Sequence, residues 1–181
     1  MRIISGKHKG RRIVAPKKLP VRPTTDRAKE GLFNILNNLY SLEGIAVLDL
    51  FSGTGNMAFE FASRGAQVVT AVDAHKGCAL FIEKTRKELA MEIKVVKSDA
   101  FQFLMRHSSQ YDIIFADPPY TMSLSDFMRL PELIFTKDLL KEDGRLILEH
   151  GSHTDLDRSP YLNDKRQYGN SVFSFFTANI A

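Results

Sequence analysis

Tyr111-Asp112-Ile113-Ile114-Phe115-Ala116-Asp117-Pro118-Pro119-Tyr120 reads as a buried β-strand that two prolines stop abruptly. The run Tyr111–Ala116 is short and apolar, as expected of a strand covered on both faces. Each proline lacks an N–H and has a fixed φ, so neither can extend a sheet ladder. The stop leaves Asp117, the Pro118 carbonyl and the Tyr120 ring at the strand's carboxyl end, where open α/β sheets bind their ligands. A carboxylate, a stiff carbonyl and an aromatic face suit a flat ring that bears an NH2 group. A plain strand-ending turn is the competing reading, and the neighbouring elements decide between them.

On either side of this strand the chain alternates strand and helix. Ile45–Leu50, Val68–Val72, Ile93–Lys97, Ile113–Ala116 and Arg145–Glu149 read as strands 1 to 5. Gly55–Arg64, Asp73–Met91, Phe101–His107 and Leu124–Lys141 read as helical, the last broken near Pro131, and Asp143-Gly144 turns the chain into strand 5. Ahead of them Ala28, Leu32, Ile35, Leu36 and Leu39 mark one face of a helix, with Thr25 as N-cap and Asp26 in its first turn. A β-α-β-α rhythm requires a mostly parallel sheet with helices on both faces. The final pair, Lys165–Tyr168 and Val172–Thr177, is joined by only Gly169-Asn170-Ser171, too short for a crossover, and so forms an antiparallel hairpin. An ordinary dehydrogenase domain does not end this way.

The chain has 181 residues, enough for one domain with a substantial core. No apolar run reaches membrane-spanning length and no signal-peptide pattern is present, which predicts a soluble, cytoplasmic protein without a membrane partner. The single cysteine, Cys78, excludes an internal disulfide and a cysteine-based zinc site, and reads as ordinary helix packing. His150-x-x-His153, the close histidine pair, lacks further ligands and reads as a solvated loop, so no metal is expected. The formal charge of +4 is unevenly spread: residues 1–29 hold ten basic side chains and one acid, which leaves −5 for the remainder. Arg2-Ile-Ile and Arg12-Ile-Val-Ala flank a Gly6–Gly10 turn, so this basic arm reads as an ordered hairpin. Its charge is the footprint of a polyanion binder.

Strand 1 ends in Asp49-Leu-Phe-Ser-Gly-Thr-Gly55. Glycines at 53 and 55 allow a sharp turn and a close backbone approach to a ligand at a helix N-terminus. Asp73 ends strand 2, where an acid can accept from both ribose hydroxyls. Asp99 follows strand 3, where a carboxylate can reach an adenine amino group. Gly53-Thr-Gly-Asn-Met-Ala58 also fits a relaxed dinucleotide fingerprint, so a nicotinamide oxidoreductase competes. Against it, Asp49 would crowd a pyrophosphate but suit a cationic amino-acid ligand, and no hydride-transfer acid stands out.

In this order, residues 49–55, Asp73, Asp99 and DPPY resemble the motifs of class I S-adenosylmethionine-dependent methyltransferases that modify base amines. Arg2-Ile-Ile-Ser-Gly, Gly10-Arg-Arg, Arg22-Pro-Thr-Thr-Asp-Arg27, Glu30-x-Leu-Phe-Asn-Ile-Leu36 and Ser63-Arg-Gly-Ala66 after Glu60 resemble the bacterial 16S ribosomal RNA guanine-N2 methyltransferase family (RsmD). DPPY and the glycine loop are widely shared, whereas RPTTDR with the basic hairpin is much more specific. The resemblance implies an α/β, Rossmann-like class I methyltransferase fold: a seven-stranded, mostly parallel sheet with an antiparallel terminal hairpin. Residues 1–23 would form a basic hairpin extension and 24–181 the methyltransferase domain. S-adenosylmethionine would be held by Asp49, Phe51, Ser52, Gly53, Thr54, Gly55, Asp73, Asp99, Ala100 and Asp117. Asp117, Pro118, Pro119 and Tyr120 would act on the base. Lys7, Lys9, Arg11, Arg12, Arg22, Thr25 and Arg27 would meet RNA. The implied substrate is 16S rRNA, in an assembling small subunit, met by a monomer. Some relatives carry Glu where Asp73 stands. The alternatives are a DNA or other base-amine (adenine-N6) methyltransferase, the nicotinamide enzyme, and a non-catalytic RNA-binding module.

Overall fold

The computed structural model describes residues 1–20 and 24–178, and Arg22 lies outside the described residues. Seven strands form one sheet: β1 (Ala46–Leu50), β2 (Val68–Asp73), β3 (Ile93–Lys97), β4 (Tyr111–Ala116), β5 (Leu140–Gly151), β6 (Leu162–Tyr168) and β7 (Ser171–Phe176). Their order is β3-β2-β1-β4-β5-β7-β6, parallel from β3 to β5, with β7 antiparallel to both of its neighbours. The strand order reverses between β1 and β4, so the carboxyl ends of these two strands flank the crevice where such sheets bind ligands.

Five helices cover the sheet: α1 (Asp26–Leu39), α2 (Asn56–Ser63), α3 (Lys76–Glu88), α4 (Ala100–Arg106) and α5 (Leu124–Thr136). One face packs Val47, Phe115 and Ile147 against α1, α2 and the amino-terminal arm; the other packs Leu48, Ile114 and Leu148 with α4 and α5. Thr25 caps α1, its hydroxyl accepting from the Ala28 N–H at 3.2 Å. The buried face of α1 is Ala28, Lys29, Leu32, Phe33 and Leu36. Leu39, expected on that face, is 45% exposed at the last turn, where the helix ends and Tyr40 takes an extended conformation.

Three other expectations change. The helix around Pro131 is unbroken: Pro131 lies buried with Phe127, Leu130 and Ile134, and the helix stops only where Asp138 takes a left-handed φ of 53°. Packing offsets the loss of one backbone hydrogen bond, about 3 kcal/mol in an unpacked helix. Asp143-Gly144 does turn the chain, but within β5, where the register moves from Tyr111–Leu140 to Ile113–Arg145 with Asp143 at φ 62°. The long helix starts at Lys76 rather than Asp73, because Asp73 still pairs with Lys97 in the sheet.

The basic arm folds back on itself at the Arg2–Arg12 bridge, with Ile3 N–H donating to the Arg11 carbonyl at 2.9 Å and Ile13 N–H to the Met1 carbonyl at 3.0 Å. Ile3 and Ile13 are buried in the main core. The arm sits so close to α2 that a Cβ on Gly6, at φ 82°, would lie 1.8 Å from the Ser63 carbonyl oxygen. Glu60 on α2 accepts the Ile4 and Ser5 N–H groups at 2.8 and 3.0 Å. It also pairs with Arg64 at 2.7 Å and with the buried Lys29 ammonium at 3.3 Å. Removing one partner of a buried pair strands the other's charge. Glu60→Ala should therefore lower stability by about 3–5 kcal/mol; urea unfolding that shows a loss under about 1 kcal/mol would mean Lys29 has other means of compensation.

Candidate active site

Strand register assembles the site. Ala116 on β4 pairs with Leu50 on β1 and Leu148 on β5, so Asp117, one residue on, comes level with Phe51 and Glu149. The Asp117 N–H donates to the Leu50 carbonyl at 3.4 Å. Asp49 lies on the face of Val47, and by alternation Asp117 and Glu149 continue the face of Phe115 and Ile147. Three carboxylates from three adjacent strands thus converge beneath α1 and α2, at the edge of a cleft of about 950 Å³.

The loop after β1 forms one wall of that cleft. Phe51 takes a left-handed φ of 59°, Gly53 54° and Gly55 80°, and the Gly55 N–H donates to the Ser52 carbonyl at 2.7 Å. Phe51, Ser52, Gly53 and Thr54 line the cleft. Gly55 does not: it is the N-cap of α2, where a Cβ would lie 2.8 Å from the Phe59 ring. Asp73 fastens this loop to the next one. Its Oδ2 accepts from the Gly53 N–H at 2.8 Å and its Oδ1 from the His75 N–H at 2.7 Å. Each oxygen keeps a lone pair for a ligand hydroxyl. Asp99 caps α4, accepting from the Gln102 N–H at 3.0 Å, and also reaches the cleft, whereas Ala100 is buried beneath it.

Asp49 is 1% exposed, and its Oδ2 accepts from the Ala58 N–H at 3.1 Å, anchoring the start of α2. Burial pushes its carboxyl up to about 8, against the opposing hydrogen bonds from Ala58 and Ser52. Asp117 is half-buried, and burial first, then the charges of Glu149 and Asp49, raise its carboxyl well above the ordinary range. Burial also raises Glu149, while hydrogen bonds from Thr24 and Ser171 oppose the shift. Such a wall favours donors and cations. Pro118, Pro119 and Tyr120 complete the rim, with the Tyr120 ring 62% exposed.

Thr25 and Arg27 line the cleft mouth, the Thr25 hydroxyl being engaged as the α1 cap. Lys7, Lys9, Arg11 and Arg12 are exposed on the arm and do not line the cleft. Arg11 and Arg12 border a second groove of about 490 Å³ with Lys18 and Lys84, and Leu19 is shared by both hollows. His150 is not in a solvated loop. It is buried in β5, its Nδ1–H donating to the Gly151 carbonyl at 2.9 Å and its Nε2 accepting from the Ser174 hydroxyl at 2.8 Å. Among the described residues no group of three His, Cys, Asp or Glu side chains could hold a metal ion.

Sequence reasoning missed Glu149, Thr24, Asn56, His75 and the Tyr168–Ser171 turn, all of which line the cleft. Glu149 carried a usable signal, being a fifth acid at a strand's carboxyl end. The turn carried none, since it reaches the cleft only because β7 is inserted beside β5.

Fold and site together define a class I methyltransferase. The family model described as "Conserved hypothetical protein 95" matches residues 1–177, and the chain belongs to that family. YlbH of Bacillus subtilis is 34% identical over 177 residues, 93% of this chain and 94% of its own length. "Ribosomal RNA small subunit methyltransferase D" of Escherichia coli K12 is 34% identical over 147 residues, 81% of this chain and 69% of its own. Among solved structures, the Thermus thermophilus protein TTHA0928 superposes with a TM-score of 0.86 at 25% identity, covering 98% of this chain and 99% of its own. A T. thermophilus 16S rRNA N2 G1207 methyltransferase in complex with AdoMet and guanosine shares the fold, with a TM-score of 0.70 at 17% identity over 88% of this chain and 45% of its own.

A protonated Asp49 must ionise to accept a cationic ligand. Binding of S-adenosylmethionine at pH 7 should therefore release protons, and affinity should rise with pH toward about 8, above which the ligand's own α-ammonium begins to lose its charge. Calorimetry in buffers of different ionisation enthalpy measures this. Asp49→Asn should abolish the proton release; an unchanged release would assign it to another group.

Proposed function

We propose that this protein transfers a methyl group to the exocyclic N2 amine of a guanine in 16S rRNA, acting as a monomer on an assembling small subunit in the cytoplasm. The observation that carries the reading is the Asp117–Pro118 rim, one residue past the β1–β4 pairing and in the same cleft as the 51–54 loop, Asp73 and Asp99. S-adenosylmethionine, when bound, supplies a methyl group already activated on a sulfonium. Asp49 suits its amino-acid part, Asp73 the ribose hydroxyls and Asp99 the adenine amine, while the Gly53 backbone allows close approach.

The acceptor is the obstacle, because the lone pair of an amine on a purine is delocalised into the ring. In its ionised form Asp117, with the Pro118 carbonyl, accepts the two amine hydrogens, favours a pyramidal nitrogen and aims its lone pair across the cleft. As positive charge grows on nitrogen, the same oxygens stabilise it, an oxyanion hole with its signs reversed. Asp117 then takes the proton that the nitrogen gives up, its proton affinity heightened by burial and by the charges of Glu149 and Asp49. Fixed orientation of donor and acceptor can contribute roughly 7–11 kcal/mol. Tyr120 stacks on an extruded base, worth about 1–3 kcal/mol.

Lys7, Lys9, Arg11 and Arg12 on the arm, with Arg27 at the cleft mouth, take the flanking phosphates. The groove bordered by Arg11, Arg12 and Lys18 leads toward the cleft past Leu19. The rRNA relatives and a donor-seeking wall support this acceptor over a nicotinamide ring, whose hydride transfer would leave the Asp117 carboxylate without a role.

Mapping N2-methylguanine in small-subunit rRNA, with and without the gene, tests the reading. One guanine should lose its methyl group and regain it with the wild-type chain but not with Asp117→Ala. That variant should bind S-adenosylmethionine nearly normally, and most of its turnover surviving would remove Asp117 from the chemistry.

A further inference from the structure

In the chemistry above Glu149 acts only through its charge on Asp117, yet it is one of the best-held side chains in the cleft. It is 6% exposed, and its Oε2 accepts from the Thr24 hydroxyl at 2.6 Å. Thr24 is fixed in turn: its carbonyl accepts from Asn56 Nδ2 at 3.1 Å, and Asn56 Oδ1 accepts from Lys29 Nζ at 2.9 Å. This buried polar chain runs from the arm-anchoring Lys29 to the cleft wall. By register Glu149 stands level with Asp117, the residue assigned to the base amine. Thr24 and Ser171 use only part of its accepting capacity, and a lone pair left facing a ligand is best met by a donor on that ligand.

Adenine N6 and cytosine N4 each lie beside ring nitrogens that carry a lone pair. Guanine N2 alone lies beside a ring N–H, at N1. An acceptor next to the one that holds the amine would therefore bond guanine and repel the other two bases.

We infer that Glu149, held by Thr24, accepts the N1–H of the target guanine and thereby selects guanine among the amino-bearing bases. This rests on the base-amine reading and adds the group that sets its specificity. Misplaced bases would leave a buried carboxylate facing a lone pair, the kind of mismatch that discriminates strongly.

The test uses small-subunit rRNA from cells lacking the protein, with the mapped guanine left in place or replaced by 2-aminopurine through splinted ligation. 2-Aminopurine keeps the N2 amine, exchanges the N1–H for a lone pair and lacks O6, so the Glu149→Gln comparison below ties the loss to the N1 contact. For the wild-type enzyme, kcat/KM should fall by about tenfold or more on the replaced RNA, as expected for loss of a bond to a charged group. Glu149→Gln keeps the shape and can turn an NH2 toward the base. It should lose rate on guanine and shrink the guanine preference by about tenfold or more, with S-adenosylhomocysteine affinity unchanged in calorimetry. Equal wild-type rates on the two RNAs would overturn the inference without needing a variant, and so would an unchanged preference in Glu149→Gln. No methylation of the guanine RNA by the wild type would instead remove the base-amine reading, and this inference with it.

Discussion

Three carboxylates, Asp49, Asp117 and Glu149, are held on one face of the sheet within reach of one another's charge. Burial raises all three, and in water they would move apart. Here they cannot, because the in-register pairing of β1, β4 and β5 fixes their spacing. What can satisfy them is limited: the Ala58 N–H and the Ser52 hydroxyl at Asp49, the Thr24 and Ser171 hydroxyls at Glu149, and donors or cations brought by ligands. The cleft is thus built to be completed by an amine and a positively charged partner. That condition is the physical core of the methyl-transfer reading.

The arm belongs to the same scheme. A second set of buried charges, Lys29, Glu60 and Arg64, ties it to α2 and α1. Lys29 also bonds Asn56, and through Thr24 the chain of contacts ends at Glu149. The exposed basic side chains of the arm are therefore mounted on the element that holds the cleft wall. A loose tail would attract RNA equally well, but it could not hold its phosphates at a fixed distance from Asp117.

Much of this was legible in the sequence because strands carry a simple signal. Apolar runs that end in Asp49, Asp73 and Asp117 located three strand ends, and the short Gly169-Asn170-Ser171 link required the antiparallel return. Local rules failed where distant packing decides. Pro131 reads as a break, but its ring lies in a core that repays the missing bond. His150 reads as solvated because its pairing with His153 lacks further ligands, yet β7 lies beside it and supplies Ser174. The expected strand 5 ended at Glu149, whereas β5 runs on to Gly151. Glu149 also escaped notice because its partner, Thr24, lies 125 residues away in the chain. No periodicity reports a contact of that range.

The most direct test is a crystal structure of the protein with S-adenosylhomocysteine and guanosine. The guanine N2 should lie within hydrogen-bond distance of both the Asp117 carboxylate and the Pro118 carbonyl, facing the sulfur across the cleft. A base seated elsewhere, or an Asp117 carboxylate turned away from it, would contradict the account.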